Sequence, residues 1–328
     1  MKRLLALTAL LLSLSILAGC YGTTPPVVKL GLIAPFEELH RDDGYAALHA
    51  VRLAVDQRNA AGGVAGYRVA LVALNDNARP DDARQAAANL GVDRDVLGVI
   101  GPLQGAAAQA AGPALAQRGL PWITLASLAP SQLTAGFALE ATPADLVARA
   151  GQALAAGGVS GPVATTADAA LDTAGLAGLV WLGDAAGGAQ LAQRLPPETS
   201  LIGGPELGSP VFAGRAGAAV NGAQWLSAGP AQAALPAEFV AAYQSLAGAP
   251  PSPQAVLAYD AANLLLDAMA QAGQQGALTR EAVQAALQTL GAAGWQGLSG
   301  PLAWQSDACP AEQPCWPRLD PAMTLHAW

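Results

Sequence analysis

Positive charge is scarce in this chain: 16 lysines and arginines stand against 24 acidic residues, a formal net charge of −8. Without a basic face, a nucleic-acid partner is excluded. Histidine is scarcer still, with His40, His49 and His326 far apart in the chain. No G-x-S-x-G elbow, P-loop or G-x-G-x-x-G turn occurs, so no paired nucleophile and base suggests an enzyme and no motif calls for a cofactor. Beyond residue 17 no apolar run has the length of a membrane-spanning helix.

One apolar run does stand out. Lys2 and Arg3 precede Leu4 to Leu17, too short for a comfortable span, and the run closes on Leu17-Ala18-Gly19-Cys20. This resembles a bacterial lipoprotein signal. The resemblance implies a signal peptide over 1–19, cleavage before Cys20, lipid on its thiol, a tether over 20–26, and an extracytoplasmic protein anchored to the bacterial membrane or envelope. Cleavage removes Lys2 and Arg3 and leaves a formal charge of −10. With Cys20 assigned to lipid, Cys309 and Cys315 remain in a proline-rich loop, Asp307 to Pro317, where a disulfide closing the small loop is expected. A metal site there would need further soft or imidazole ligands, and only His326 is near in sequence.

From Val27 to Ser127, apolar strand-like runs alternate with amphipathic helices. Val27–Phe36 reads as a buried strand, followed by a polar loop over Glu37–Asp43 and a helix from about Gly44 to Ala61. In that helix Ala47, Leu48, Val51, Ala54 and Val55 share a face. Strands are expected at Tyr67–Leu74, Val96–Ile100 and Leu120–Leu125, with Pro80, Asp81 and Asp82 opening the second helix. This βαβ rhythm predicts an α/β fold: a parallel sheet with helices on both faces, and a ligand at the carboxyl ends of the strands.

The segments GLIAPF, NAAGG, VALVALNDNARP, VLGVIGP and PWITLAS, followed by LIGGPELGSPVF, AYDAANLLL and GLSGPLAW, together resemble the substrate-binding proteins of branched-chain amino acid ABC transporters. The order and spacing of these segments carry the resemblance over nearly the whole chain after residue 20. It implies the type I periplasmic-binding architecture: two lobes, each a three-layer α/β/α domain with a parallel sheet, closing on a ligand by a hinge. Lobe 1 is placed at 27–141 plus about 251–318 and lobe 2 at 142–250, with 319–328 near the hinge. A monomer is expected.

The second lobe looks truncated. Between the strands expected at Pro162–Thr166 and Gly178–Gly183 there is no room for the βα unit that the family carries there, nor for its ligand-covering loop. Thr165, Thr166 and Asp168 stand in that region instead. The family's contact positions fall on Asp43-Gly44, on Gln104 or Gly105 in place of a carboxylate-binding serine, and on Ala126-Ser127-Leu128 in place of Ala-Ala-Thr. Glu206 matches the acidic residue that pairs with a ligand ammonium. Tyr45 and Asp184, beside these loops, complete the candidate binding set, and Asp42 adds to a negatively biased mouth that favours an amine or cation. Trp122, Trp181, Trp225, Trp295 and Trp304 read as core. The expected function is delivery of a small polar ligand, an amino acid, amide or amine, to an ABC permease. The alternative is a structural or regulatory envelope lipoprotein that keeps the fold without a ligand.

Overall fold

The computed structural model of the chain describes residues 25–276, 278–305, 318–319 and 323–328. Cys20, Cys309 and Cys315, and with them the expected lipidation and disulfide, lie outside these residues. Among the described residues no helix is long and apolar enough to cross a membrane.

The first half alternates strictly: β1 (Val27–Ala34), α1 (Arg41–Ala60), β2 (Arg68–Asn75), α2 (Pro80–Val92), β3 (Val96–Ile100), α3 (Gly105–Gln117), β4 (Trp122–Thr124) and β5 (Phe137–Ala138). The five strands form one parallel sheet in the order β2-β1-β3-β4-β5. β3 is apolar throughout except for Gly98 and is buried along its whole length, as a central strand covered on both faces must be. One face packs on α1 through Leu30, Leu32, Val51 and Val55. The other packs on α2 and α3 through Leu90, Val99, Leu115 and Trp122.

The chain then builds α4 (Pro143–Ala156), β6 (Val163–Thr166), β7 (Gly178–Trp181), α5 (Ala185–Ala192), β8 (Ser200–Gly203), α6 (Pro210–Ala216) and β9 (Ala223–Ala228). A second five-stranded sheet results. Its order is β14-β9-β8-β7-β6, where the C-terminal strand β14 (Met323–Ala327) runs antiparallel to β9 and the rest are parallel. Thr142 caps α4 in a reciprocal box with Asp145, which fixes the direction in which the chain leaves the first sheet.

The shortened segment makes β6 an edge strand that pairs only with β7. No residue of β6 is fully buried, and Val163 is 47% exposed. Residues 167–177 between these strands form turns held by their own side chains: Asp168 N–H donates to Thr166 Oγ1 at 2.8 Å, and Asp168 Oδ1 accepts from Ala170 N–H at 2.8 Å.

One segment sits elsewhere than the sequence suggests. The helix expected in the second lobe, observed as α7 (Ala237–Ala247), packs against α1, and Tyr243 Oη donates to the Ala46 carbonyl at 3.1 Å. Its buried face carries Phe239 and Tyr243, which join the first core. The second crossing between sheets therefore falls between Ala228 and Ala237 rather than near residue 250. Residues 323–327 join the second sheet through pairing with β9, with Met323 opposite Ala228 at the start of the second crossing.

After α7, α8 (Pro253–Gln274) and α9 (Arg280–Ala293) complete the first lobe. A hairpin of β10 (Trp295–Gly297) and β11 (Gly300–Leu302) is pinned to α8 by Asp260, which is 1% exposed. Asp260 Oδ1 accepts from Leu298 N–H at 2.9 Å, and Oδ2 from Ser299 N–H at 2.7 Å and Ser299 Oγ–H at 2.5 Å. Gly297 must be glycine here, because a Cβ would lie 2.4 Å from Asp260 Oδ2. A short pair, β12 (Trp304–Gln305) and β13 (Arg318–Leu319), follows. Asp260→Ala strands buried N–H groups, and we expect a loss of about 3 kcal/mol in urea unfolding. A loss below about 1 kcal/mol would show that solvent already satisfies the hairpin.

Candidate functional site

β1, β3 and β4 run parallel, and so do β7 and β8. The segments after the carboxyl ends of β1, β7 and β8 bring charged groups near one another where the two lobes meet. The segment after β1 is more ordered than the polar loop expected there. Glu38–His40 forms a single helical turn, and α1 begins at Arg41, so Asp42 and Asp43 occupy a helical first turn where carboxylates are favoured. Gly44 permits this entry, because a Cβ would fall 1.7 Å from the Pro35 carbonyl oxygen.

His40 Nδ1 lies 3.6 Å from Asp43 Oδ2, just beyond a formed hydrogen bond, with both side chains largely covered. The imidazole is held above its ordinary pKa, first by Asp43 and then by the charges of Glu206 and Asp184 against the cost of burial. These four side chains come from three separated segments of both lobes. Asp184 sits exposed at the N-terminus of α5, where its Oδ1 accepts from Gly187 N–H at 2.6 Å. It is therefore engaged by its own helix.

Glu206 lies in the helical turn Pro205–Gly208 that follows β8. Its backbone carbonyl accepts from Ser209 Oγ at 2.8 Å, but among the described residues its carboxylate accepts no hydrogen bond. Burial, followed by the charge of Asp43, pushes it up to about 7, partly offset by His40. The site thus holds a half-buried carboxylate with charged neighbours and no donor of its own.

Glu140 was not among the residues singled out from the sequence. It stands in the run Phe137 to Ala141, where an acidic residue amid apolar ones at an interlobe crossing is the one available signal. At 2% exposure, its Oε1 accepts from Ala141 N–H at 2.9 Å, and the backbone of Ala228 adds a second bond. Glu140 so joins the first and second crossings. Burial pushes it up to about 7, and the charge of Glu206 adds to the rise.

The segments after β3 and β4 have a different character. Gln104 precedes α3 without capping it, and its Oε1 is buried without a partner. Leu128 is 3% exposed, and its Cδ2 lies 3.3 Å from where a Cβ on Gly105 would be. Ala126 is also buried. Thr124 Oγ1 donates to the Pro102 carbonyl at 2.7 Å and accepts from Ala126 N–H at 3.1 Å. Ser127 Oγ donates to the Ala141 carbonyl at 2.6 Å. Both hydroxyls are spent on backbone carbonyls.

Tyr45 is 38% exposed on α1, packed against Phe36 at 5.6 Å and with the Arg41 guanidinium 5.8 Å from its ring centre. With Asp43, Pro210 of α6, Tyr243 and Ser252 it lines an open surface cavity of about 330 Å³. Trp122 and Trp181 are core, as expected, whereas Trp225 is only partly buried and stacks on His326 with ring centres 3.9 Å apart. Among the described residues, no group of three or more His, Cys, Asp or Glu side chains could hold a metal ion.

None of the curated proteins matches this chain. Among solved structures it is similar to the branched-chain amino acid transporter substrate-binding protein LivJ of Streptococcus pneumoniae in complex with isoleucine. That pair is 18% identical with a TM-score of 0.75, over 92% of this chain and 96% of the other. A leucine-binding protein, LivK, of Thermotoga maritima is 19% identical with a TM-score of 0.75, over 92% and 95%. A solute-binding protein of an ABC transporter from Rhodopseudomonas palustris, in complex with 3,4-dihydroxybenzoic acid, is 20% identical with a TM-score of 0.72, over 92% and 93%. They share the α/β architecture with parallel sheets, the type I periplasmic-binding fold. The periplasmic binding protein family model matches residues 27–203 and 195–317, and the chain belongs to that family.

Proposed function

We propose that this chain is a lipid-anchored extracytoplasmic solute receptor that holds a small polar ligand between its lobes and presents it to an ABC permease. Glu206 carries the reading. A half-buried carboxylate without a hydrogen-bond donor among the described residues is stabilised when a cation or donor completes it, and a ligand at the lobe junction would supply one. Asp43, Tyr45, Gln104, Gly105, Ala126, Ser127, Leu128 and Asp184 surround or border that position in this reading. Similarity to solved proteins in complex with isoleucine and with 3,4-dihydroxybenzoic acid supports a small-molecule ligand. Binding energy spent on lobe closure distinguishes loaded from empty receptor for the permease. Cys20 supplies the anchor, and the receptor acts as a monomer.

The test is thermal unfolding of the lipid-free protein, stripped of bound solute by denaturation and refolding, against amino acids, amides, amines and aromatic acids. One class is expected to stabilise it by about 2.7 kcal/mol at about 100 times Kd. Absence of any shift across the panel would replace this reading with that of a ligand-free envelope scaffold.

A further inference from the structure

From the contacts at the interlobe crossings we infer that Glu140 is a positioning residue for lobe closure: its buried side chain ties the crossings into one hinge and sets the angle between the lobes. Its consequence for binding rests on the solute-receptor reading above, whereas its hold on the hinge does not.

The first crossing is short. Leu139 N–H still donates to the Thr124 carbonyl of the first sheet at 3.1 Å, and Thr142 already caps α4 of the second lobe. Only Glu140 and Ala141 lie between, so rotation of the lobes about this crossing falls on their backbone. The second crossing leaves β9 at Ala228, and the third enters the second sheet at Met323, which pairs with Ala228. Thr324 Oγ1 donates to the Gly229 carbonyl at 2.6 Å and fastens these two together. Among the described residues, no strand pairing joins the first crossing to them. Glu140 supplies the link: its Oε1 accepts from Ala141 N–H at 2.9 Å, and its carboxylate accepts from the backbone of Ala228 as well.

A carboxylate that accepts from two strands fixes the distance between them and leaves each backbone free to twist, which is what a hinge of several strands requires. At 2% exposure, Glu140 makes these bonds with little competition from water. When the side chain is shortened or removed, the first crossing separates from the other two and the lobes sample a wider range of angles. Only part of that range closes on a solute, and apparent affinity falls with the competent fraction. The charge of Glu206 reaches Glu140, so a cation or donor that completes Glu206 favours the ionised Glu140, the form that holds both amides best. Solute and hinge thereby act in the same direction.

The experiment reads the distance between the lobes in the empty protein, stripped as above, by pulsed electron paramagnetic resonance. Nitroxides are attached through ketone-bearing residues introduced at Val92 on the first lobe and Val163 on the second, which are 69% and 47% exposed, so the native cysteines stay untouched. Glu140→Asp, which keeps the charge but shortens the reach, and Glu140→Ala are both expected to widen the distance distribution about 2-fold or more. Glu140→Gln, which keeps the length and an acceptor oxygen, is expected to retain the wild-type width. Leu115→Ala, a core truncation in the first lobe, controls for lost stability and should leave the width unchanged. Circular dichroism checks each fold, and if Glu140→Ala does not fold, Glu140→Asp alone decides. An unchanged width in the folded Glu140→Asp and Glu140→Ala proteins, or equal widening by Leu115→Ala, would overturn the inference. No solute enters the measurement, so a solute panel without a binder would retire the receptor reading and leave this result standing.

Discussion

Glu206→Gln is expected to weaken solute binding by about 30-fold or more and to make the empty protein more stable at pH 8. The two effects share one cause. In the folded chain the Glu206 carboxyl is pushed from 4.5 up to about 7 by burial and by Asp43. At pH 8 the empty site therefore holds a charge that the fold disfavours. Each pKa unit corresponds to about 1.4 kcal/mol, so neutralising it should recover on the order of 1 to 3 kcal/mol, the upper figure being reached only if no water relieves it. Removing one partner of a buried charge pair costs about 2 to 5 kcal/mol, which corresponds to a loss of about 30-fold to several thousand-fold in affinity. Calorimetry with the solute and urea unfolding of the stripped protein read the two separately. Unchanged affinity would place Glu206 outside the site. Lower stability without solute would mean that the carboxylate is already satisfied by solvent.

The same residue shows how far the sequence could be read. Four of the five strands of the first sheet were legible because they are apolar runs such as Val96–Ile100, whereas the two-residue β5 was too short to leave a pattern. Glu206 stood out as a candidate because it matches the acidic position of the family, and it follows the end of β8 as expected. The start of α1 was not: Glu37–Asp43 is polar throughout, and only Gly44 against the Pro35 carbonyl shows that a helix begins among those residues. Nor was the position of α7, whose apolar face would suit either lobe until Tyr243 meets the Ala46 carbonyl. Glu140 escaped because its role depends on two backbone segments far apart in sequence, Ala141 and Ala228. Pairing across a crossing leaves no local pattern. Leu128 was visible as a departure from the family, yet its consequence appears only once the neighbouring hydroxyls are seen to be engaged.

Glu140 and Glu206 together make the empty protein more stable at pH 5.5 than at pH 8. Each has a folded-state value near 7 against 4.5 when unfolded. Between these values the folded chain binds more protons than the unfolded one, so stability falls as pH rises through the interval. Asp76, 0% exposed with one oxygen unpartnered, acts in the same direction between 3.8 and about 6. His40 also loses stabilisation as pH rises through its raised value, since the imidazolium is the form that Asp43 and Glu206 hold. His49 and His326 oppose the trend, because burial lowers them and stability is lost as they are forced to charge on acidification. The two glutamates outweigh them: with a shift of about 1.4 kcal/mol per unit, a net loss on the order of 3 kcal/mol is expected from pH 5.5 to pH 8. Urea midpoints measured at constant ionic strength across that range test it. Glu140→Gln keeps an acceptor oxygen for Ala141 and Ala228 while removing the charge, so it should flatten the slope without unfolding the crossing. The Glu140→Gln, Glu206→Gln double variant should flatten it further. Because the two carboxylates repel each other, the combined change in slope should fall short of the sum of the single changes. A steep slope that survives in the double variant would remove both glutamates from the account.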